Sequence, residues 1–266
     1  MPDCEVCCPA HAEKGPSMDL GIAGRRAIVT GGSSGLGLAT AKALAAEGVR
    51  IVIVSRDAAN LARAVAEFAP GSVVDTLVAD VGDRTQVDTM VREARGILGG
   101  VDILVANAGG PPPGTFASTS FDAYDAALKS NLLSTVAMCQ AVVPIMRESG
   151  WGRILAITST SVREPIEHLI LSNTARAGLT GFLKTLAREV AGDGITVNTL
   201  QPGLHLTGRL AALYPEPETL AATIPAGFVG DPDDFGHVAA FMCSTHARFM
   251  TGVSVPLDGG ALRGLQ

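Results

Sequence analysis

Three groups of residues in this 266-residue chain have types and spacings that could do chemistry. The run Thr30-Gly31-Gly32-Ser33-Ser34-Gly35-Leu36-Gly37 joins an apolar, strand-like stretch to an alanine-rich, helix-like one. Its glycines let the backbone turn tightly and come close to a ligand. The helix behind them aims free N–H groups and a positive dipole end at an anion. This is a phosphate site, and its nearest match is a dinucleotide site, although the glycine spacing is not the usual G-x-G-x-x-G. The second group is Ser55-Arg56, directly after a β-branched run. A neutral hydroxyl beside a guanidinium suits a phosphate monoester, though a solvated surface arginine is common at such a place. The third group is Ser172 and Arg176, four apart on one face of a helical stretch. His168 lies just before them, and histidine is the residue type that exchanges protons near neutrality.

The elements that must position these groups alternate with few long loops. Strands are predicted at 26–30, 49–55, 73–78, 101–106, 153–159, 195–200 and 253–257, with helices at 36–48, 58–68, 84–98, 121–148, 171–191 and 233–244. Asp57 and Asp83 are placed to cap two of the helices. Short, nearly all-apolar strands alternating with helices predict an α/β fold. It is a single doubly wound Rossmann-type domain, a parallel sheet of about seven strands with helices on both faces. Ligands of such sheets lie at the carboxyl ends of the strands. The residues there are Gly31 to Gly37, Ser55, Asp80, Asn107, Ser159 and Pro202.

Composition bounds the function. Hydrophobic residues make up 47% of the chain and charged ones 17%, which suits one domain with a large core. The formal net charge is −6 and there is no long basic stretch, which argues against nucleic acid as a partner. The uninterrupted apolar runs are strand-sized, short of the roughly 20 residues of a membrane helix, so no membrane partner is expected. Residues 1–17 are broken by Pro2, Pro9, Gly15 and Pro16 and read as a disordered tail before a domain at 18–266. Cys4, Cys7, Cys8 and His11 within the tail could ligate zinc, but their spacing is too short for an ordinary zinc module, and no metal is expected. Cys139 and Cys243 read as buried thiols of a reduced, cytoplasmic protein.

Taken in order, these motifs resemble the short-chain dehydrogenase/reductase family over residues 25–260, with a general look of the 3-oxoacyl-carrier-protein reductase type. Thr30 to Gly37 fits the family's T-G-x-x-x-G-x-G. Asp80-Val81 looks like its adenine-contacting pair, and Asn107-Ala108-Gly109 its N-A-G motif. Asn131 and Ser159 match its active-site Asn and Ser. Pro202-Gly203 with Thr207 resembles the loop holding the nicotinamide carboxamide, and Asp258-Gly259-Gly260 the D-G-G near its C-terminus. The resemblance implies a pyridine dinucleotide cofactor. An acidic residue after the second strand would bind both ribose hydroxyls and repel a 2′-phosphate; Ser55 and Arg56 favour NADP(H), with NAD(H) possible, and Ser33 and Ser34 can add hydroxyl donors. By resemblance the assembly is a homotetramer or homodimer.

The pattern breaks at one place. Where the family carries Tyr and Lys four residues apart, this chain has Ser172 and Arg176. The resemblance implies that the Tyr gives a proton to the substrate oxygen while the Lys lowers its pKa and binds the nicotinamide ribose. Both side chains here are expected to point at the cofactor. Arg176 can keep the charge and bind ribose hydroxyls but does not release a proton readily. Ser172 is a far weaker acid than a phenol, and a helix N-cap is an equal reading for it. Other candidate acids are His168, His205 and Tyr214, each an exposed loop residue on the alternative reading; Glu164 and Glu167 follow, and Tyr124 reads as packing. The leading expectation is an NADP(H)-dependent ketoreductase-like oxidoreductase with a non-standard proton donor. The alternatives are a non-redox enzyme on the same scaffold (dehydratase, cyclase or isomerase) and a catalytically silent nucleotide-binding protein. Segments 111–116, 162–170 and 204–228 should shape the pocket, and their mostly apolar residues suggest a hydrophobic or ring-bearing carbonyl or alcohol.

Overall fold

The computed structural model describes residues 18–265. The expected tail, with Cys4, Cys7, Cys8 and His11, lies outside the described residues. Seven strands form one sheet: β1 Arg26–Thr30, β2 Arg50–Ser55, β3 Val74–Val78, β4 Ile103–Ala106, β5 Gly152–Ile157, β6 Ile195–Pro202 and β7 Ser254–Leu257. The order is β3-β2-β1-β4-β5-β6-β7 and every pairing is parallel. Chain order reverses between β1 and β4, so the carboxyl ends of these two strands make the crevice where a doubly wound sheet takes its ligand.

The helices are α1 Gly35–Ala46, α2 Ala58–Val65, α3 Arg84–Leu98, α4 Phe121–Leu128, α5 Ser134–Ser149, α6 Ile170–Val190, α7 Gly208–Leu213 and α8 Pro232–Met242. Strand side chains alternate, so each strand feeds two cores. Ile28, Val52 and Leu104 pack with α3, α5 and α6 on one face. Ala27, Val29, Ile51 and Ile103 pack with α1, α2 and α8 on the other. Alanines 39, 41, 43 and 45 keep α1 close to the sheet and to α8. Asp57 and Asp83 accept backbone N–H bonds at the starts of α2 and α3 as the sequence predicts.

Three expectations need correction. The helix predicted at 121–148 is interrupted by a π-turn, Lys129–Leu133, which inserts an extra residue where Asn131 sits. The strand predicted to reach Ser159 stops at Ile157, because Ser159 turns to cap the short 3₁₀ turn Thr160–Val162. The stretch 121–149 is long and apolar enough, by composition, to cross a bilayer, with a mean hydropathy of 1.2. Scattered polar residues hide this in a search for uninterrupted runs. Half of its most apolar 18-residue window is buried, and α5 packs on α3, β4 and β5 as a core helix does. Cys139 and Cys243 are buried and free, and burial pushes both thiols up to about 12.

Candidate active site

The glycine turn closes at the tip of β1. Gly31 and Gly35 have φ of 57° and 54°, which favours glycine at both positions. A Cβ on Gly37 would collide with the Gly31 carbonyl and the Asn107 amide. Asn107 is the tie between the two central strands. Its Nδ2 donates to the Gly31 carbonyl at 3.2 Å, while the Thr30 hydroxyl accepts from the Asn107 N–H at 3.0 Å. Ser34 is the N-cap of α1 but its hydroxyl makes no capping bond. The N–H groups of Gly35, Leu36 and Gly37 therefore open α1 without intrahelical partners, facing the crevice. This fits a dinucleotide diphosphate: the backbone can be approached closely and its donors are free.

The structure joins Ser55 of the second group to the glycine turn. The Ser33 hydroxyl donates to the Ser55 hydroxyl at 3.0 Å. Arg56 is exposed and makes no hydrogen bond or ion pair among the described residues. The neighbouring carboxylate, Asp57, is occupied by the N–H groups of Ala59 and Asn60 at 2.8 and 3.1 Å. The corner after β2 thus offers two hydroxyls and a free guanidinium, with the one nearby acid turned into its own helix. Asp80, beyond β3, accepts from Gly82 N–H at 2.9 Å, and its backbone N–H donates to Gln86. Val81 beside it packs on the α3 core.

Across the crevice, Ser159 Oγ accepts from Ser161 N–H at 3.1 Å. That bond leaves the hydroxyl hydrogen free to donate to a ligand oxygen. Asn131 is 4% exposed; its Nδ2 donates to Ser130 Oγ at 2.7 Å, and its Oδ1 is buried with no partner. A buried acceptor of this kind can hold a water molecule. Ser172 is the third residue of α6 and the N-cap position belongs to Leu169, so the capping alternative falls. Its hydroxyl has no partner among the described residues.

Arg176, expected to point at a cofactor, is already engaged by the main chain. Its guanidinium is buried and donates to the carbonyls of Ile157 at 2.9 Å, Thr158 at 2.7 Å and Ala108 at 3.4 Å. These carbonyls close β5 and the loop after β4, where backbone acceptors run out of strand partners. Burial first, and then the charge of Arg209, lowers the Arg176 pKa to about 10. No carboxylate pairs with it among the described residues.

The third wall is α7. Thr207 caps it by accepting from Leu210 N–H at 3.3 Å, and Thr207 lies beside Gly35 at the start of α1. Pro202 ends β6, and Gly203 N–H donates to the Leu257 carbonyl at 2.9 Å, against Asp258 of the D-G-G run. Two polar contacts tie α7 across the mouth. Arg209 donates to the Pro111 carbonyl at 2.7 Å, over Gly110. Tyr214 Oη lies 3.5 Å from His168 Nε2. Arg209 is the residue that the sequence reading missed; its position two residues past Thr207 on a segment over the ligand was the available signal. His205, a candidate acid by sequence, is turned away from the crevice. It is 8% exposed, stacked edge-on against Phe235 of α8 with ring centroids 5.3 Å apart, and pinned by a bridge to Gly230. Burial lowers its pKa.

A doubly wound sheet with a glycine turn at its switch point, and a Ser and an Asn facing that turn across the crevice, defines a Rossmann-type oxidoreductase. The chain belongs to the short-chain dehydrogenase/reductase family: the family model described as Enoyl-(Acyl carrier protein) reductase matches residues 31–261. It is 33% identical over 242 residues to the 3-oxoacyl-[acyl-carrier-protein] reductase of Escherichia coli (strain K12), covering 91% of this chain and 98% of that one. Among solved structures it is similar to L-sorbose reductase from Gluconobacter frateurii complexed with NADPH and L-sorbose. That match has a TM-score of 0.88 and 32% identity, and covers 93% of this chain and all of that one (100%). It is also similar to the NADPH-bound short chain oxidoreductase from Pseudomonas aeruginosa PAO1 described as containing an atypical catalytic center. Here the TM-score is 0.85 at 30% identity, covering 91% of this chain and 98% of that one.

Proposed function

We propose that this chain is an NADP(H)-dependent reductase or dehydrogenase acting on an apolar carbonyl or alcohol, with a proton donor other than a phenol at position 172. The observation that carries the cofactor reading is the corner after β2, where the Ser33 and Ser55 hydroxyls meet, Arg56 follows exposed and unpaired among the described residues, and Asp57 is consumed by α2. Bound NADP(H) would exchange a hydride with the carbonyl carbon. The chain would hold it through the N–H groups of Gly35, Leu36 and Gly37 at the diphosphate, Ser34 beside them, and Asp80 and Val81 at the adenine. Asn107, Ala108, Gly109, Pro202, Gly203 and Thr207 would form the walls of the nicotinamide end.

Ser159 polarises the substrate oxygen with its free hydroxyl hydrogen. Arg176 takes a different part from the family's Lys: it fixes the Ala108 carbonyl and the end of β5, and its two remaining N–H groups are available to a ribose hydroxyl. Asn131 holds a water with its unpartnered Oδ1 and sets the π-turn that faces α6. The free buried thiols fit a reducing, cytoplasmic setting, and assembly into a homodimer or homotetramer follows the habit of the family.

Titrating the purified chain with NADPH and NADH by fluorescence, then following NADPH absorbance with a panel of apolar ketones, tests the reading. NADPH binding with ketone-dependent loss of absorbance is expected. Tight binding without turnover over the whole panel would turn the reading to a non-redox or silent protein, the alternatives that Ser172 keeps in play.

A further inference from the structure

We propose that Tyr214 on α7, backed by His168, delivers the substrate proton that Ser172 is too weak an acid to give. The inference rests on the reductase reading above and names the group that this reading leaves open.

The groups around the crevice narrow the choice. Ser172 has an alkyl hydroxyl, and Arg176 spends three N–H groups on main-chain carbonyls and holds its proton. His205 is packed behind the loop against α8. Tyr124 lies half-buried on α4. Tyr214 and His168 are on the two segments that border the mouth, and they are in contact.

Each partner is positioned by its own backbone. His168 belongs to the loop between β5 and α6. Its carbonyl accepts from Gly114 N–H at 2.7 Å, and Ile170 N–H returns a bond to the Gly114 carbonyl at 3.3 Å. This bridge holds the imidazole at the edge of the loop after β4, four residues before Ser172. Tyr214 is the residue at which α7 stops. It precedes Pro215, which forces it out of the helical region, and its φ and ψ are −135° and 113°. Its N–H still bonds the Leu210 carbonyl at 2.8 Å, so the ring leaves the helix end toward His168. The Arg209 bond to Pro111 fixes the other end of the same helix.

The contact has a productive direction. With Nε2 protonated, the imidazole donates to the phenolic oxygen, and the phenol hydrogen stays free for a ligand oxygen. A separation of 3.5 Å is long for such a bond, and catalytic hydrogen bonds commonly tighten only when the substrate is bound. The segment that carries Tyr214 has a small core of its own, Leu210, Ile224 and Val229, against which Tyr214, Leu204, Leu220 and Ala221 pack, so a shift of that size is one of the segment as a unit.

The step balances. The reductant is a reduced nicotinamide dinucleotide. As the carbonyl carbon gains the hydride, the C=O π pair moves to oxygen, the Tyr214 O–H bond breaks and the alcohol O–H bond forms. The phenolate takes the Nε2 proton of His168 as Nδ1 takes one from solvent, so the ring stays neutral. Tyr214 is the catalytic residue and His168 acts through it.

The test uses the full chain and three proteins: native, Tyr214→Phe and His168→Ala. With the fastest ketone of the panel, Tyr214→Phe should lose about 10²–10³-fold in kcat while ketone KM and NADPH Kd change little, since a positioned general acid contributes on that scale. His168→Ala should lose less, and added imidazole should restore part of its rate. A readout without cofactor is the ring ¹⁵N spectrum of histidine-labelled protein. Tyr214→Phe should move the His168 signal and leave those of His205, His237 and His246 in place. A native chain that turns over with Tyr214→Phe at full rate overturns the relay alone. An unmoved His168 signal also overturns it. A native chain that binds NADPH but consumes it with no ketone overturns the reductase reading and the relay together.

Discussion

Arg56→Ala is the sharpest test of the cofactor assignment, because the structure predicts both its size and its selectivity. Arg56 is exposed and bonded to no described residue, so removing it breaks nothing in the free protein. Whatever affinity is lost is then affinity for the ligand. A hydrogen bond to a charged group contributes about 1.5–3 kcal/mol, and solvent at this corner places Arg56 at the lower end. A loss of about 1.5 kcal/mol is about tenfold in Kd. The loss should fall on NADPH alone, since NADH presents a ribose hydroxyl where NADPH presents the phosphate. It should also shrink as salt is raised, because the corner is open to counterions. Fluorescence titration of both dinucleotides at low and moderate salt measures all three features. The companion Ser55→Asp puts a carboxylate beside the Ser33 hydroxyl and should reverse the preference, weakening NADPH and strengthening NADH. Equal weakening of both dinucleotides by Arg56→Ala would refute the reasoning, since it would mean that the guanidinium acts on something the two ligands share.

Ser159→Ala should lower turnover by about 10²–10³-fold with NADPH binding unchanged, the usual cost of one oxyanion donor; unaltered kcat would remove the polarising role. Asp102→Asn should destabilise the chain by about 3 kcal/mol, roughly 6–12 °C in Tm for a domain of this size, because it leaves the Arg26 guanidinium without its buried partner. Asp102 receives Arg26 Nε at 2.7 Å and Nη2 at 2.8 Å at the amino end of the sheet, far from the crevice, so NADPH affinity should not change. Burial lowers the folded pKa of His205 below its unfolded value. Its contribution to stability is therefore full above the unfolded pKa and is lost as pH falls through the folded one; native Tm should drop between pH 7 and 5 more than that of His205→Gln. Ser172→Tyr alone should keep the fold and raise turnover. Ser172→Tyr with Arg176→Lys should be less stable than the single variant, because a lysine cannot reach three separate carbonyls as the guanidinium does.

The fold was legible because the strands of a doubly wound sheet are buried on both sides. Ile51 to Val54 and Ile103 to Ala106 carry no polar alternation, and that pattern admits few other arrangements. The geometry of the glycine turn and of the corner after β2 was legible for a local reason: glycine positions, caps and the Ser55-Arg56 pair lie within a few residues of one another. Asp57 shows this well, since its place before Ala58 was enough to read it as the cap of α2. The far wall was not legible. Arg176 was read by helix periodicity, which gives the face of a side chain and not the carbonyls at its tip. Those carbonyls come from residues 18, 19 and 68 positions away in the chain. His205 and His168 looked alike as loop histidines. What separates them is Phe235 in one case and Tyr214 in the other, contacts set by tertiary packing.

The charges around the mouth bear on how a ligand enters. Arg176 is buried with no carboxylate partner among the described residues, and Arg209 stands near it with the same sign. On the cofactor reading proposed above, an anionic dinucleotide bound beside them would offset that repulsion. The same arrangement limits how firmly α7 can be held. Its ties across the mouth are the Arg209–Pro111 and Tyr214–His168 contacts, and its own core is three buried residues with half-buried Leu204, Tyr214, Leu220 and Ala221 around them. A wall built from few buried apolar contacts opens at low free energy, while the sheet beneath it does not. The element that closes the crevice is thus also the one carrying the proposed acid. Closure would bring the acid up to the substrate as a separate step from cofactor binding, which depends on the glycine turn. Turnover and NADPH affinity should therefore respond to different variants, with Tyr214 and His168 in one set and Gly37, Ser55 and Arg56 in the other.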